Sequence, residues 1–255
     1  SAGDNHSFIQ NKVAASEYAA GNSNPSKPAS KLLSGNIGYI LVPGFSSINE
    51  KVSTDFATEI QNMIRKLDTN NQIAGWIVDL RGNTGGNMYP MIAGLGPLTG
   101  EGTLGYFIGI VNNKKIRNPW FYKSGSSGAG KTTVSKASNP YKVKNAKTKI
   151  AVLIDPLTSS SGEMTAISFI GKKNSRVFGS QSGGYTTGNA AFGLSDGANL
   201  LLATSYTADR NLKQYKAYLT PDVTIEQSSG SEDEGIKAAM LWHFLPKGLV
   251  HRFPC

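Results

Sequence analysis

The chain has 255 residues, 39% of them hydrophobic, so it is long and apolar enough to form a substantial core and is not a disordered chain. Its apolar runs fall far short of the roughly 18 residues that a membrane span requires, and its single cysteine, Cys255, excludes an intramolecular disulfide and a CxxC redox motif. Lysine and arginine total 26 against 17 acidic residues, and this net charge of +9 favours attraction to anionic surfaces.

The first part of the chain combines a polar segment with a strand and a long helix. Residues 1–36 are rich in Gly, Pro, Asn and Ser, and we expect a short Ala-rich helix and connecting loops there. The apolar run at residues 38–45 predicts a buried strand. Apolar residues then recur at steps of three and four over residues 49–67, which indicates a helix packed on a core, with Asn49 or Ser53 as its cap.

The middle of the chain predicts a second buried strand at residues 73–80, which ends in a glycine-rich turn and leads into a helix at 88–95. A further strand is predicted at residues 103–111. Most of the excess positive charge lies at residues 114–117 and 123–149, and the second of these stretches is rich in Lys, Ser and Gly with few large apolar side chains. We interpret residues 112–149 as a basic surface loop. Because no aromatic or arginine periodicity accompanies its charge, we expect no nucleic-acid partner.

The last third of the chain predicts a third buried strand at residues 149–155, and the hydroxyl-rich turn after it leads into an amphipathic helix at 163–171. Ser231, with Glu234 three residues later, matches a capping box for a final helix. We expect the tail, residues 245–255, to be irregular. Shorter strands are predicted at residues 176–179, 200–205 and 215–219.

The order of these elements predicts the class of fold. Strands that alternate with helices are typical of an α/β fold with a layered core, in which a central, mostly parallel or mixed sheet is flanked by helices. In this interpretation residues 1–36 form a small N-terminal segment, and residues 37–244 form the core.

Residues 125–132 (GSSGAGKT) match the nucleotide phosphate-loop pattern GxxxxGK[ST]. Such a loop requires a buried strand before it and a packed helix after it. Here Pro119 and several charges precede the match, and residues 133–149 carry Pro140 and almost no apolar side chains. We therefore favour a flexible surface loop over a nucleotide site.

Hydroxyl side chains cluster at residues 158–161, where a predicted strand leads into a helix, so one of these serines is a candidate nucleophile or a simple helix cap. A nucleophilic serine needs a base to take its proton and N–H groups to stabilise negative charge. Small polar residues surround His6, whereas His243 lies near the apolar face of the final helix and His251 lies in the tail. No HxH, HExxH or carboxylate cluster is present, so we expect no metal and no other cofactor.

Short strings along the chain resemble the tail-specific, or C-terminal processing, serine peptidase family. The stretch GDNHS at residues 3–7 is similar to the His-Ser stretch of members that use histidine as a base. The resemblance covers nearly all of residues 3–222, is greatest to the nisin resistance protein group, and implies a ClpP/crotonase-like core. The other strings, in the family's order, are DLRGNTGG at 79–86, TSSSGE at 158–163, GSQSGGYTTGN at 179–189, LSDG at 194–197 and PD at 221–222.

The resemblance implies that Ser160, three residues before Glu163, is the nucleophile, with Ser161 as the alternative if the register shifts by one. In the lysine-using branch of the family, the base occupies the position that corresponds to Tyr185 here. Tyrosine has a pKa near 10 and is unsuited to act as a base at neutral pH. The chain therefore resembles the histidine-using branch, and His6 becomes the predicted base.

The resemblance also implies an oxyanion hole made by the N–H of Ser161 and by a glycine N–H from Gly85 or Gly86. Glycine lets the backbone approach the substrate carbonyl closely. Only about thirty residues separate His6 from Gly38, too few for a PDZ module, so we expect a groove or tunnel between the N-terminal segment and the core to capture the substrate. A plain Ser–His dyad is one alternative for the site. The candidates to orient the histidine are Ser7, Glu163 and Asp209.

By this resemblance the protein is a serine endopeptidase that cuts peptides near their C-termini, and its substrate is a lanthipeptide such as nisin.

We expect a secreted or membrane-anchored protein that is located outside the cytoplasm. We expect it to associate with an anionic membrane or cell envelope, either through an anchor before Ser1 or through its basic surface. Because such substrates are cationic, either acidic residues line the groove or the positive charge holds the protein at the envelope. The alternative from another class is a non-catalytic peptide-binding module of the same fold.

Overall fold

The computed structural model describes residues 4–20, 26–225 and 232–245, which form an α/β structure with two sheets. The helices of this part are α1 (Lys12–Ala20), α2 (Glu50–Asn70), α3 (Met88–Thr99), α4 (Ser161–Ile167) and α5 (Glu234–Phe244). Its strands are β1 (Phe8–Gln10), β2 (Ala29–Leu33), β3 (Ile37–Leu41), β4 (Gly75–Asp79), β5 (Gly102–Val111), β6 (Lys114–Lys123), β7 (Ser126–Ala129), β8 (Thr132–Lys136), β9 (Lys149–Ile154), β10 (Ser175–Gly179), β11 (Thr187–Gly193), β12 (Asn199–Asp209), β13 (Gln214–Tyr215) and β14 (Val223–Thr224).

Six strands form one sheet, here called the core sheet, in the order β14-β10-β9-β4-β3-β2. Neighbouring strands pair in parallel from β14 to β3, whereas β2 runs antiparallel to β3 at the edge. The buried strands predicted at residues 38–45, 73–80 and 149–155 correspond to β3, β4 and β9. The predicted α/β class is confirmed.

The core sheet is covered on both faces because its strands carry apolar side chains on both faces. Trp76, Val78 and Val152 belong to the larger apolar cluster, which they share with α2, α3 and α4. Ile77 and Leu153 point to the opposite face and share a second cluster with α5. Loops follow the carboxyl ends of the parallel strands, and sheets of this kind bind ligands beside those ends.

Capping side chains mark the first residues of α2 and α5. The helix predicted over residues 49–67 is α2, and the side chain of Asn49 caps it by accepting a hydrogen bond from the N–H of Val52. The alternative cap, Ser53, lies inside the helix and is buried. The capping box predicted for the last helix is wrong, because Asp233 is the N-cap of α5, and Ser231 lies outside the described residues.

Eight antiparallel strands form the second sheet, here called the outer sheet. Its main path is β1-β12-β5-β6-β7-β8, and β11 and β13 also pair with β12. The strands predicted at residues 103–111 and 200–205 correspond to β5 and β12. Strand β12 is the organising element, since it pairs with β1, β5, β11 and β13.

The expectation that residues 112–149 form a surface loop is wrong for residues 114–136, which form β6, β7 and β8. Trp120 and Tyr122 are buried within β6, and Ser127 is fully buried within β7. In β7 and β8 the small polar residues Ser127 and Ser135 fill buried positions, so these two strands lack the buried large apolar side chains that usually signal a strand.

The same strands contradict both interpretations of residues 125–132. This stretch contains β7 and the tight turn to β8, with Gly125 at φ +87° and Gly130 at φ +60°. A phosphate loop would lead into a helix N-terminus, but here the chain continues as strand β8. The match is therefore neither a nucleotide site nor a flexible loop.

The N-terminal segment is built into both sheets. Strand β1 pairs with β12 in the outer sheet, and β2 pairs with β3 in the core sheet, across the expected boundary at residue 36. The predicted irregular tail lies, from residue 246 onward, outside the described residues. Within the described ranges, no helix has both the length and the apolar character needed to cross a membrane.

Candidate active site

Ser160 lies in the sharp turn that joins β9 to α4, where it is the N-cap residue of the helix. Its φ of +51° and ψ of −118° are uncommon for a residue with a side chain and make the turn a tight elbow. Asp155 accepts a hydrogen bond from the N–H of Thr158, and the carbonyl of Asn83 accepts one from the N–H of Ser159. These bonds fix the turn and leave the side chain of Ser160 partly exposed.

The structure brings the predicted base and nucleophile together across 154 positions of sequence. Nε2 of His6 lies 3.0 Å from Oγ of Ser160, which is hydrogen-bonding distance. The imidazole also packs edge-on against the ring of Tyr185, with 5.3 Å between ring centroids. The 3.0 Å contact between Nε2 of His6 and Oγ of Ser160 is the one that proton transfer from a serine to a histidine requires.

The main chain around His6 is anchored on both sides. A carboxylate oxygen of Asp4 accepts hydrogen bonds from the N–H groups of His6 and Ser7, at 2.7 and 2.6 Å. The side-chain amide of Asn189 donates to the carbonyl of His6 at 2.8 Å. Strand β1 begins two residues later and pairs with β12. The position of the imidazole is therefore set by the outer sheet.

Thr187, the first residue of β11, is the second partner of the imidazole. Its Oγ1 lies 2.7 Å from Nδ1 of His6. When Nδ1 carries the proton and donates to this oxygen, the lone pair of Nε2 is available to Ser160. Sequence analysis did not identify Thr187. The signal that could have found it is its place two residues after Tyr185, inside one of the family-like strings.

The surroundings of His6 favour the neutral imidazole. Burial lowers the pKa of His6 below its ordinary value, and the Asp4 carboxylate and hydrogen bonding with Thr187 act in the opposite direction. Hydrogen bonds from the side chain of Ser7 and the main chain of His6 lower the pKa of Asp4, so its carboxylate is charged. A neutral imidazole is the form that accepts a proton.

None of the three residues expected to orient His6, which are Ser7, Asp209 and Glu163, forms a hydrogen bond with its ring, so these expectations are wrong. Oγ of Ser7 donates to Asp4 and accepts from the N–H of Ala203. Asp209 closes the turn after β12, where it accepts hydrogen bonds from two backbone N–H groups and from the hydroxyl of Tyr215. Both side chains stabilise the outer sheet.

Glu163 also does not bond the imidazole; it is fully buried and holds the chain on either side of the site. One carboxylate oxygen accepts from the N–H of Ser160 at 2.8 Å and from the N–H of Tyr185 at 2.9 Å. The other accepts from the N–H of Gly184 and the hydroxyl of Ser182. Burial raises the pKa of Glu163, and these four donors partly offset that rise. Glu163 thus joins the Ser160 turn to the segment that packs on His6.

The N–H groups of Ser161 and Gly86 are suited to an oxyanion hole. Ser161 opens α4, and within the described part of the chain neither N–H has a hydrogen-bond acceptor. The N–H of Gly85 instead donates to Asn83 at 3.0 Å, so Gly86 fits the role better than Gly85. Gly86 has φ +107°, and a Cβ there would lie 2.1 Å from the carbonyl oxygen of Phe45. Only glycine fits this position.

The family-like string DLRGNTGG, at residues 79–86, has a structural role next to the site. Asp79 is buried at the end of β4, where it pairs with Arg81 and accepts from the hydroxyl of Tyr39. Arg81 also pairs with Asp233, the N-cap of α5, at 2.7 Å. This group ties the carboxyl end of the core sheet to α5.

A cleft of about 1000 Å³ contains His6 and Ser160. Residues of the N-terminal segment, the start of α3 and the outer sheet line it, so it lies where a groove was predicted. None of the described residues that line the cleft is Asp, Glu, Lys or Arg. The idea that acidic residues line the groove is therefore contradicted.

Among the residues that the structure describes, the other titratable groups do not form a second site of this kind. Nε2 of His243 lies 3.1 Å from the carbonyl oxygen of Trp76, and burial lowers the pKa of His243 to about 4, as expected for a packed histidine. His251 lies outside the described residues. In the described ranges, no three His, Cys, Asp or Glu side chains are grouped so that they could hold a metal ion.

Comparisons with known proteins agree with this architecture. Residues 36–225 match the model of peptidase family S41. The chain is 35% identical over 238 residues to the nisin-resistance protein of Lactococcus lactis subsp. lactis, and this alignment covers 93% of the chain and 70% of the relative.

Solved structures give the same result at the level of the fold. A lipoprotein from Streptococcus agalactiae superposes with a TM-score of 0.73 at 26% identity, over 93% of this chain and 75% of that one. The photosystem II D1 C-terminal processing protease has the same fold, with a TM-score of 0.54 at 19% identity, over 84% of this chain and 51% of the other. The predicted resemblance is confirmed, and the chain belongs to peptidase family S41.

Proposed function

We propose that the chain is a serine endopeptidase in which His6 accepts the proton of Ser160 as the serine attacks a peptide carbonyl. The observation that carries this proposal is the 3.0 Å contact between Nε2 and Oγ inside the cleft. The tight turn at Ser160 supports it, because a strained strand-to-helix elbow exposes a nucleophile in other serine hydrolases.

The reaction proceeds in two halves. Oγ of Ser160 bonds to the carbonyl carbon while its proton moves to Nε2 of His6, and His6 then gives that proton to the leaving amine as the peptide bond breaks. A water molecule next loses its proton to His6 and attacks the acyl-enzyme. The acid product leaves and Ser160 recovers its proton. Thr187 holds the ring through Nδ1 in both halves.

We assign the stabilisation of the negative charge that develops on the carbonyl oxygen to the N–H groups of Ser161 and Gly86. Removal of one oxyanion-hole donor costs roughly 10²–10³ in kcat in a well-studied serine peptidase. The cleft lined by these residues carries no ionised Asp, Glu, Lys or Arg side chain among the described residues. These donors are therefore expected to dominate charge stabilisation.

We further propose that the enzyme cuts peptides near their C-termini and that a lanthipeptide such as nisin is a substrate. The name of the Lactococcus relative supports the second point. The described lining of the cleft, which includes no Asp, Glu, Lys or Arg, suits small, apolar or hydroxyl-bearing residues beside the scissile bond. At long range a protein of charge +9 repels a cationic peptide, so long-range electrostatic attraction does not contribute to the binding of such a substrate.

We also propose that the protein lies outside the cytoplasm or at the cell envelope, where resistance to an external peptide would act. The name of the Lactococcus relative supports this location. The net charge of +9 is compatible with an anionic envelope surface.

The test is mass spectrometry of nisin and of an unstructured peptide after incubation with wild type, Ser160→Ala and His6→Ala. We expect C-terminal fragments with wild type and intact peptide with both variants. Identical cleavage by all three proteins would refute the site. Binding of peptide without cleavage by wild type, and no reaction of Ser160 with a fluorophosphonate, would favour the non-catalytic peptide-binding module.

A further inference from the structure

The β5–β6 hairpin ends in a tip that combines exposed apolar side chains with cations. We define the hairpin tip as residues 110–117, all of which are exposed. Ile110 is 77% exposed, Val111 57% and Ile116 46%. Single exposed aliphatic residues are common on protein surfaces, but three within eight residues of one hairpin call for a partner.

The hairpin tip has a defined shape. Asn112 and Asn113 form its two-residue turn with φ values of +49° and +60°, as in the tight turns that suit twisted hairpins. Val111 pairs with Lys114, and Ile110 pairs with Lys115. Ile110 and Val111 therefore each have a lysine side chain directly opposite on the neighbouring strand, whereas Ile116 lies opposite Gly109.

The hairpin belongs to the most basic part of the chain. No acidic residue occurs between Glu101 and Asp155, and this interval holds ten lysines and arginines, more than the whole net charge of +9. Lys114, Lys115 and Arg117 are exposed, and within the described part of the chain they form no ion pair. The surface around the apolar tip is thus uncompensated positive charge.

We propose that the hairpin tip docks on an anionic phospholipid bilayer. Ile110, Val111 and Ile116 enter the boundary between headgroups and acyl chains, and the adjacent cations contact the anionic headgroups. Apolar burial and attraction to anionic lipid add together in peripheral membrane binding. The proposal goes beyond peptide hydrolysis and does not depend on it.

Other partners fit the hairpin tip less well. A soluble polyanion such as nucleic acid would neutralise the cations but would leave the isoleucines in water. A second copy of the chain would bring two cationic tips together at a cost in electrostatic free energy. A bilayer satisfies both the charge and the apolar side chains.

The location of the hairpin relates docking to the cleft. Phe107 and Asn118, at the base of the hairpin, line the cleft, whereas the tip residues do not. A protein bound through the tip therefore holds its cleft near the membrane surface. Substitutions at the tip leave the cleft lining unchanged.

The experiment measures partition of the whole chain onto vesicles of phosphatidylcholine with and without phosphatidylglycerol. The variants are Ile110→Ser/Ile116→Ser and Lys114→Ser/Lys115→Ser. Matched controls are Leu32→Ser/Leu241→Ser, which removes exposed aliphatic groups elsewhere, and Lys66→Ser/Lys173→Ser, which removes exposed cations elsewhere. Circular dichroism and thermal melting establish that all variants fold.

We expect wild type to bind vesicles that contain phosphatidylglycerol, and each tip variant to bind at least about tenfold more weakly. The controls should stay within about twofold of wild type, given the short range of lipid-surface electrostatics. Wild-type affinity in the isoleucine variant, with binding removed by salt, would instead identify a surface for soluble polyanions. A tip-dependent dimer in light scattering would identify a second copy. Either result overturns the proposal, and neither bears on peptide hydrolysis.

Discussion

Ser161 donates its hydroxyl hydrogen bond to the carbonyl oxygen of Gly86 over 2.6 Å. This bond ties the turn after β9 to the glycine turn after β4. The two N–H groups assigned to the oxyanion hole therefore hold a fixed separation before substrate arrives, which is the preorganisation that stabilises developing charge.

Replacing Ser161 by Ala removes this bond and keeps the Ser161 N–H. We expect kcat to fall about tenfold, because a small displacement of one donor weakens oxyanion stabilisation. A fluorophosphonate should still label Ser160, as mass spectrometry of the modified peptide would reveal. Loss of labelling in Ser161→Ala, with labelling retained in Ser160→Ala, would make Ser161 the nucleophile.

Replacing Ser160 or His6 by Ala should each lower kcat/KM by at least about 10⁴-fold, since both groups act in one proton transfer. The double variant should be no slower than the slower single variant, because the two effects are not additive. Initial rates on an unstructured peptide measure this. Additive losses would show that the two side chains act independently, contrary to the 3.0 Å contact.

Thr187→Val removes the hydroxyl that holds Nδ1 of His6 and keeps the shape of the side chain. We expect kcat to fall about 10–100-fold with little change in KM, because the imidazole loses its orientation but the cleft remains. Thr187→Ser restores the hydroxyl and should recover most of the rate. Equal rates in the Val and Ser variants would exclude a positioning role for this hydroxyl.

The acid side of the pH profile should report His6. The base acts only when neutral, so kcat/KM should fall as the pH drops through the pKa of His6, which burial lowers below 6.5. Asp4→Asn keeps an acceptor oxygen for the N–H groups of His6 and Ser7 but removes a charge that favours the imidazolium. The acid limb should then move to lower pH. Glu59→Gln, an exposed change on α2, is the control and should not move it.

His243 should make the fold less stable in acid. Its pKa is lowered to about 4 in the folded protein, so between pH 6.5 and 4 the unfolded chain binds a proton that the folded chain excludes. Stability from this source is complete above pH 6.5 and decreases as the pH falls. From pH 7 to pH 5, wild type should lose about 2 kcal/mol more than His243→Gln in denaturant unfolding. Equal losses would contradict this assignment.

The elements that sequence patterns predicted are those with strong apolar signals. Helix α2 has a regular stripe of apolar residues, and β3, β4 and β9 are continuous apolar runs because both faces of the core sheet are covered. The strands that were missed have little of this signal. Four of the five residues of β2 are exposed, and β7 consists of Ser, Gly and Ala. Their pairing depends on neighbouring strands rather than on local sequence.

The candidate site was predictable only through the resemblance. Spacing alone left three histidines and a row of hydroxyl residues open, and the match to the family model begins at residue 36, so it does not include His6. The partners of the ring could not be inferred in the same way. Thr187 reaches Nδ1 because β11 pairs beside β12, a tertiary relationship that no local pattern encodes.

Strand β1, which delivers His6, is held by only three residue pairs to β12, and its Phe8 and Ile9 are largely exposed. Detachment of so short a strand needs far less free energy than melting of the core. Detachment of β1 would move the imidazole of His6 away from Ser160 while the turn at Ser160 stays folded. On gentle warming, peptidase activity should therefore be lost at a lower temperature than the one at which the helices and the parallel strands unfold.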